Sequence, residues 1–251
     1  MTPDVQRLAG LRAVLFDLDG VLTPTAEVHM RAWGRMFSEF LASRPVAAYA
    51  DGDYFAHIDG RPRLDGVRAM LASRGIVLPE GEPDDDPSLE TVAGLGNRKN
   101  AVFTAELEER GVAPYPGSVR FLDAAVAAGW DVAVVSSSRN AEPVLRAAGL
   151  RERFGVVVDG AVAAAAGLAG KPAPDTYLHA ARLLGRTAAA CAVVEDAHSG
   201  VQAGRAGGFG LVVGVDRGAG TLELLASGAD LVVGDLAELI PGLPVVPEER
   251  A

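Results

Sequence analysis

Residues 14–25 read VLFDLDGVLTPT, a short apolar run that ends in two aspartates, Asp17 and Asp19, with Gly20 straight after. Carboxylates one residue apart repel each other and resist desolvation, so burying them at a strand end is costly unless a cation sits between them. A strand that simply ends in a polar turn would use the same residue types. Three later stretches decide between the two readings. VVSSSRN carries hydroxyls at Ser136, Ser137 and Ser138, then Arg139 and Asn140; GKPAPD places Lys171 before a proline; VVEDAHSG ends another apolar run in Glu195 and Asp196. Taken singly these are a turn, a helix start and a loop. Taken in order, each at the end of an apolar run, they make one site for phosphoryl transfer. Asp17 and Asp196 supply oxygen ligands for a hard divalent cation, and Mg2+ suits an incomplete cage that leaves room for water and phosphate. That cation and Lys171 relieve the repulsion between the aspartates. Asp17 is then a carboxylate nucleophile for phosphorus, and Asp19 reaches the attacking or leaving oxygen as acid and base. Hydroxyl and backbone N–H donors around Ser136 hold the equatorial phosphoryl oxygens, where much of the charge of the transfer resides.

These residues need a scaffold that brings strand ends together. Val-rich runs recur as AVLFDLD, WDVAVVSSS, FGVVVDG, CAVVEDA, FGLVVGVD and ADLVVGD, each with Asp, Ser or Gly at or next to its end. Their continuous apolar character, without alternation, marks strands buried on both faces. Helical patterns lie between them at 118–128, 141–148, 173–184, 199–206 and 221–226. Strand–helix alternation of this kind predicts an α/β fold, a doubly wound Rossmann-like parallel sheet with its ligand at the carboxyl ends of the strands. Residues 27–111 break the alternation and read as mostly helical, in AEVHMRAWGRMFSEFLA, RLDGVRAMLASRG and, from Pro87, PSLETVAGLGNRKNAVFTAELEERG, an inserted α-helical cap. The expected organisation is a catalytic core of residues 1–26 and 112–251 with a cap of 27–111. Within the cap, EGEPDDDP reads as a solvated acidic loop rather than a metal site. AVAAAAGLAG reads as a connecting segment without chemistry. AGLGNRKN and VGVDRGAG lack the G-x-G-x-x-G spacing of a dinucleotide loop between strand and helix.

Composition narrows the partners. A net charge of −10 and a pI of about 4.9 argue against nucleic acid or an anionic membrane surface. No basic stretch followed by a long apolar run opens the chain, and no run approaches a membrane span, so a cytoplasmic protein is expected, and a monomer. The single cysteine, Cys191, excludes an internal disulfide and reads as a small core residue. Of 23 basic residues only Lys99 and Lys171 are lysines. A lysine that persists against such an arginine bias suggests a need for a compact point charge. His57, His179 and His198 belong to no motif and read as scaffold.

The ordered set D-x-D-G, serine, K-P and E-D resembles the haloacid dehalogenase superfamily of phosphatases and phosphomutases, over nearly the whole chain. The resemblance implies a Rossmann-like core, a helical cap, an aspartyl-phosphate intermediate and Mg2+, which Asp19 would ligate through its backbone carbonyl. It makes Glu195 a weaker ligand candidate than Asp196, supporting the site from behind. Within the superfamily, FDLDGVLTPTAEVHMRAW, DGRPRLDGV, NRKN, SSSRN and GKPAPD are similar to the β-phosphoglucomutase family. Those enzymes interconvert β-glucose 1-phosphate and glucose 6-phosphate through bound β-glucose 1,6-bisphosphate. That similarity implies that His29 couples the hinge to Asp19, that Thr25 lies near this acid/base, that Arg63 holds the phosphate distant from Asp17, and that Lys99 contacts the sugar. Ser136, Arg139 and Asn140 would line the core side, with Ser137 and Ser138 among the binding residues. Both lysines thus fall on functional positions of the resembled family. Three departures stand out: Pro24 where relatives usually carry an acid, Arg139 for the commoner lysine, and Ala197 where serine is common. The competing expectation is a phosphatase of the same superfamily acting on a sugar phosphate or another small phosphate ester. A silent phosphate-binding protein would need no nucleophile, and Asp17, Asp19, Lys171 and Asp196 are all in place.

Overall fold

The computed structural model describes residues 5–244; the expected core limits at residues 1 and 251 lie outside them. The chain divides into two compact units, Thr25–Val112 and the remainder on either side of it.

Four helices shape the unit Thr25–Val112. They are α1 (Thr25–Leu41), α2 (Asp51–Asp53), α3 (Arg63–Ser73) and α4 (Val92–Arg110), with a single wide helical turn at Tyr54–Ile58. Helical spacing puts Trp33, Met36, Phe37 and Phe40 on one face of α1, where they pack with Val67, Met70 and Leu95 from α3 and α4. Trp33 stacks on Phe37, and Phe37 on Tyr49, with ring centroids 5.6 and 6.0 Å apart. The sequence predicts helix from Pro87 onward, but α4 starts only at Val92, where the Thr91 hydroxyl accepts the Gly94 N–H at 2.9 Å. Upstream, Pro79, Pro83 and Pro87 each lack the N–H that a continuing helix requires. The acidic stretch there is mostly exposed, as a solvated loop should be.

The other unit is built on a wholly parallel sheet. Its strands are β1 (Ala13–Phe16), β2 (Asp131–Val135), β3 (Val156–Val158), β4 (Cys191–Glu195), β5 (Leu211–Val215) and β6 (Leu231–Val233), in spatial order β3–β2–β1–β4–β5–β6. Helices α5 (Pro116–Ala127), α6 (Ala141–Ala147), α7 (Gly160–Ala165), α8 (Asp175–Leu183), α9 (His198–Ala206) and α10 (Thr221–Ser227) connect them. The six Val-rich runs are the six strands. Side chains alternate across β1: Ala13 and Leu15 join Val135, Tyr177, Val193 and Phe209 in one cluster, whereas Phe16 meets Phe121 and Phe154 edge-on. With both faces covered, the strands have no use for a polar side. Cys191 lies in this core, its thiol pushed up to about 11 by burial.

One expectation is corrected here. AVAAAAGLAG is not merely a connecting segment, because its first half forms α7. Asp159 caps that helix, accepting the N–H groups of Ala161 and Val162 at 2.9 Å, and the alanines that follow are the best helix formers available. Among the described residues no helix is long and apolar enough to cross a membrane.

The strand order reverses beside β1, with β2 on one side and β4 on the other. In such a sheet the ligand crevice opens at the carboxyl ends of these strands. Asp17, Ser136 and Glu195 stand at those three ends.

Candidate active site

Asp17 continues β1, its N–H donating to Val194 O at 2.9 Å, so the sheet itself aims the carboxylate. The chain then folds back sharply. Gly20 N donates to Thr23 O at 2.7 Å, Thr23 N to Leu18 O at 3.1 Å, and the Ser118 hydroxyl to Val21 O at 2.6 Å. Gly20 has φ +85°, and a Cβ there would lie 1.7 Å from Asp196 Oδ2. Only glycine satisfies both conditions, which is why the two acidic stretches can come so close. Arg217 fastens the turn from outside, donating Nε to Gly20 O and Nη1 to Gly234 O, both at 3.0 Å, with its guanidinium 3.9 Å above the Tyr115 ring.

Lys171 answers the repulsion posed by the sequence. Its buried ammonium donates to Asp17 Oδ1 and Glu195 Oε1, both at 2.5 Å, and to Val135 O at 3.1 Å, which uses all three of its N–H bonds. Burial works against this charge, but Asp17 and Glu195 outweigh it and hold the lysine pKa above its ordinary value. The Asp17 pKa is raised well above the usual carboxylate range, by burial first; Lys171 opposes the rise, while Glu195 and Asp19 add to it. Glu195 accepts four hydrogen bonds: Lys171 and the Tyr177 hydroxyl (2.9 Å) on Oε1, and the N–H groups of Asp196 and Ala197 (3.1 Å each) on Oε2. Room for it is made by Gly200, where a Cβ would lie 1.7 Å from Oε1. Burial and the neighbouring Glu195 push the Tyr177 phenol above its ordinary pKa, so it remains a donor.

Asp17, Glu195 and Asp196 each place a carboxylate oxygen within 4.8 Å of the others, and all three residues are buried. Three buried carboxylates against one ammonium leave an excess of negative charge. A hard divalent ion with oxygen ligands fits both the donor type and that charge. Ser136 is buried beside this cluster, its Oγ 3.4 Å from Asp19 Oδ2, and it accepts the Ser138 N–H at 3.1 Å. The Ser138 hydroxyl in turn accepts the Asn140 N–H at 3.1 Å, so the loop after β2 is held by its own side chains. Ser137 and Asn140 are half-buried in this loop, and Arg139 is exposed.

The remaining expected residues lie in the helical unit. The Lys99 ammonium contacts His29 Nδ1 and sits 5.2 Å from the Trp33 ring and 4.8 Å from the Phe103 ring. The imidazole stacks on Phe103 with centroids 4.1 Å apart. Arg63 opens α3, and a Cβ at Gly96 would meet the Arg63 stem at 3.6 Å, so it runs along α4 one turn before Lys99. Thr25 is the buried first residue of α1.

Sequence reasoning missed Tyr177, Arg217, Trp33 and Phe103. Tyr177 had a readable signal: a tyrosine on the buried face of a helix needs a partner for its hydroxyl. Arg217 had none, because it acts through backbone carbonyls far away in the chain.

A buried carboxylate at the switch point of a doubly wound sheet, tied to a buried lysine, is an arrangement suited to phosphoryl transfer in a Rossmann-like enzyme. Its kinship can be stated more closely: residues 11–208 match the haloacid dehalogenase-like hydrolase family, and the chain belongs to that family. It is 49% identical to the β-phosphoglucomutase of Mycobacterium tuberculosis over 95% of its own length and 97% of that protein. A second M. tuberculosis protein, described as an uncharacterized glycosyl hydrolase, is 39% identical over 92% of this chain, and the match occupies 18% of it. Among solved structures, a mutant of CbbY from Rhodobacter sphaeroides in complex with xylulose-(1,5)bisphosphate superposes with a TM-score of 0.72 at 26% identity, covering 94% of this chain and 100% of that one. The chain is thus an enzyme, a phosphomutase or a phosphatase.

Proposed function

We propose that this enzyme is a Mg2+-dependent phosphomutase that interconverts β-glucose 1-phosphate and glucose 6-phosphate. The observation that carries the reading is the 49% identity to a β-phosphoglucomutase over almost the whole of both chains. The bisphosphate sugar held by the CbbY neighbour supports a two-phosphate ligand. The occurrence of a similar segment inside a protein described as a glycosyl hydrolase supports a carbohydrate setting.

In this reading the Asp17 carboxylate accepts a phosphoryl group and passes it on. Phospho-Asp17 is attacked by the C6 hydroxyl of β-glucose 1-phosphate while Asp19 takes the hydroxyl proton, and the product is β-glucose 1,6-bisphosphate. The bisphosphate turns round, Asp17 attacks the phosphorus at C1, and Asp19 returns the proton to O1, leaving glucose 6-phosphate. Lys171 balances Asp17 throughout. Ser136 and its neighbours Ser137, Ser138 and Asn140 supply donors to the phosphoryl oxygens. Asp17 and Asp196, with the Asp19 carbonyl, would hold the Mg2+, which supplies positive charge to the phosphoryl oxygens when bound. Arg63 grips the phosphate distant from Asp17, and an arginine fork suits a phosphate in two-pronged fashion. Lys99, set by His29, meets the sugar.

The deciding experiment incubates pure protein with Mg2+ and β-glucose 1-phosphate and follows products by phosphorus NMR. Glucose 6-phosphate is the expected product. Release of inorganic phosphate without it would make the enzyme a sugar-phosphate phosphatase.

A further inference from the structure

We propose that Tyr177 is a positioning residue for phosphoryl transfer: its buried hydroxyl holds Glu195, and through Glu195 it holds Lys171 against Asp17. The proposal rests on the reading of Asp17 as the nucleophile. Tyr177 is fully buried in the cluster that contains Leu15, Val135 and Val193. Phenylalanine would fill that volume equally well and bring no polar group to satisfy. The hydroxyl is there, and it donates to Glu195 Oε1 at 2.9 Å, the same oxygen that Lys171 reaches at 2.5 Å.

Two donors therefore converge on Oε1 while two backbone N–H groups converge on Oε2, and the carboxylate plane is held at both ends. Lys171 is shared between Glu195 and Asp17. Part of the Glu195 charge is answered by the phenol, and what remains sets how strongly Glu195 competes with Asp17 for the ammonium. Without the hydroxyl, Oε1 draws Lys171 toward Glu195 and away from the nucleophile. The Tyr177 ring also faces Lys171, its centroid 4.9 Å from Nζ. Tyr177→Phe keeps that ring and removes the hydroxyl alone; Tyr177→Leu removes both.

The chain's lysine count makes the test direct. Labelling with 15N-lysine yields signals from Lys99 and Lys171 only, both buried, and a Lys99→Met protein assigns them. In Tyr177→Phe the Lys171 Nζ signal should shift and its N–H exchange accelerate, while the Lys99 signal stays in place. Rapid-quench formation of the aspartyl-phosphate should slow about 10-fold, as expected for one hydrogen bond to a charged group, with KM for the sugar phosphate within about twofold of wild type. Tyr177→Leu should be slower still if it folds. A Lys171 signal that does not move, or one that moves while phosphoenzyme forms at the wild-type rate, overturns the positioning role alone. Wild-type protein that forms no aspartyl-phosphate overturns the nucleophile reading, and the proposal with it.

Discussion

The two units each bury one lysine, and the contacts around the two differ. In the sheet unit Lys171 is locked between the carboxylates of Asp17 and Glu195, with a backbone carbonyl completing its donors. In the helical unit Lys99 contacts the imidazole of His29 and lies near the rings of Trp33 and Phe103. A carboxylate cage gives strong, short, directional bonds that hold the ammonium in a single place. Imidazole and aromatic faces stabilise a cation more weakly and over a broader range of positions. An incoming anion or sugar hydroxyl can outbid the second arrangement far more readily than the first. In the proposed mechanism the contrast corresponds to two duties. On that reading Lys171 would maintain Asp17 and stay put, and Lys99 would meet the ligand.

Four variants test this contrast. Lys171→Met should have the largest effect. It strands two buried carboxylates, so activity should fall by about 10³-fold or more and stability by about 3–5 kcal/mol, measured by turnover and by urea unfolding. Lys99→Met should separate the two properties. Turnover should drop about 100-fold through loss of a ligand contact, whereas stability should fall less than in Lys171→Met, because methionine packs well against the Trp33 and Phe103 rings. If both variants lose stability equally, the two lysines are not held differently.

Arg63→Ala probes the helical unit again, at the residue proposed to grip the second phosphate. A mutase must keep water from the aspartyl-phosphate while its bisphosphate turns, so loosening the distal grip should admit hydrolysis. The ratio of mutase activity to slow hydrolysis of acetyl phosphate should fall about 10-fold. An unchanged ratio, at one Mg2+ concentration, rejects the mutase role of this arginine.

The smallest effect concerns acid stability. Burial alone would raise the Asp53 pKa, but the Ala50 N–H and Arg74, whose guanidinium lies 2.5 Å away, lower it below the usual value. A carboxyl whose folded pKa is depressed contributes stability above its unfolded pKa, and that contribution disappears as pH falls through the folded one. Asp53→Asn should therefore cost about 0.5 kcal/mol at pH 7 and progressively less as the solution is acidified below about pH 4. Thermal melts across that range check it. Lys171 differs here too. Its raised pKa means its contribution is lost only as strongly alkaline conditions are reached, so the sheet unit should show no matching loss from this lysine in acid.

What was legible in the sequence followed from how locally each feature is encoded. β1 and β4 could be read because burial on both faces demands an unbroken apolar run, and each run stops at its acid. Asp17, Ser136, Lys171 and Asp196 could be noticed because each sits at the end of such a run or at a helix start. The α4 boundary was misjudged because three prolines and the Thr91 cap outweighed the pattern that followed. α7 was missed because an alanine run has no amphipathic period to announce it. Tyr177 and Arg217 depend on groups that only the fold brings near: Tyr177 bonds a residue 18 positions on, and Arg217 one 197 positions back. No window along the chain contains both partners.

The position of β1 also has a consequence for how the protein is made. It is made before the other five strands of its sheet, yet it occupies the middle, paired with β2 from Ala13↔Asp131 and with β4 from Ala13↔Cys191. At about 5–20 residues per second, β1 must wait roughly 10–40 s for its second neighbour, with Val14, Leu15 and Phe16 lacking their final partners. During that interval the whole of Thr25–Val112 is synthesised, and its contacts, being local in sequence, can form without the sheet. The nascent chain therefore carries β1 as an exposed sticky segment until β4 is made. A chaperone that binds short apolar stretches would find a client site at residues 13–16, and crosslinking on stalled ribosomes should find it released only after Glu195 has emerged.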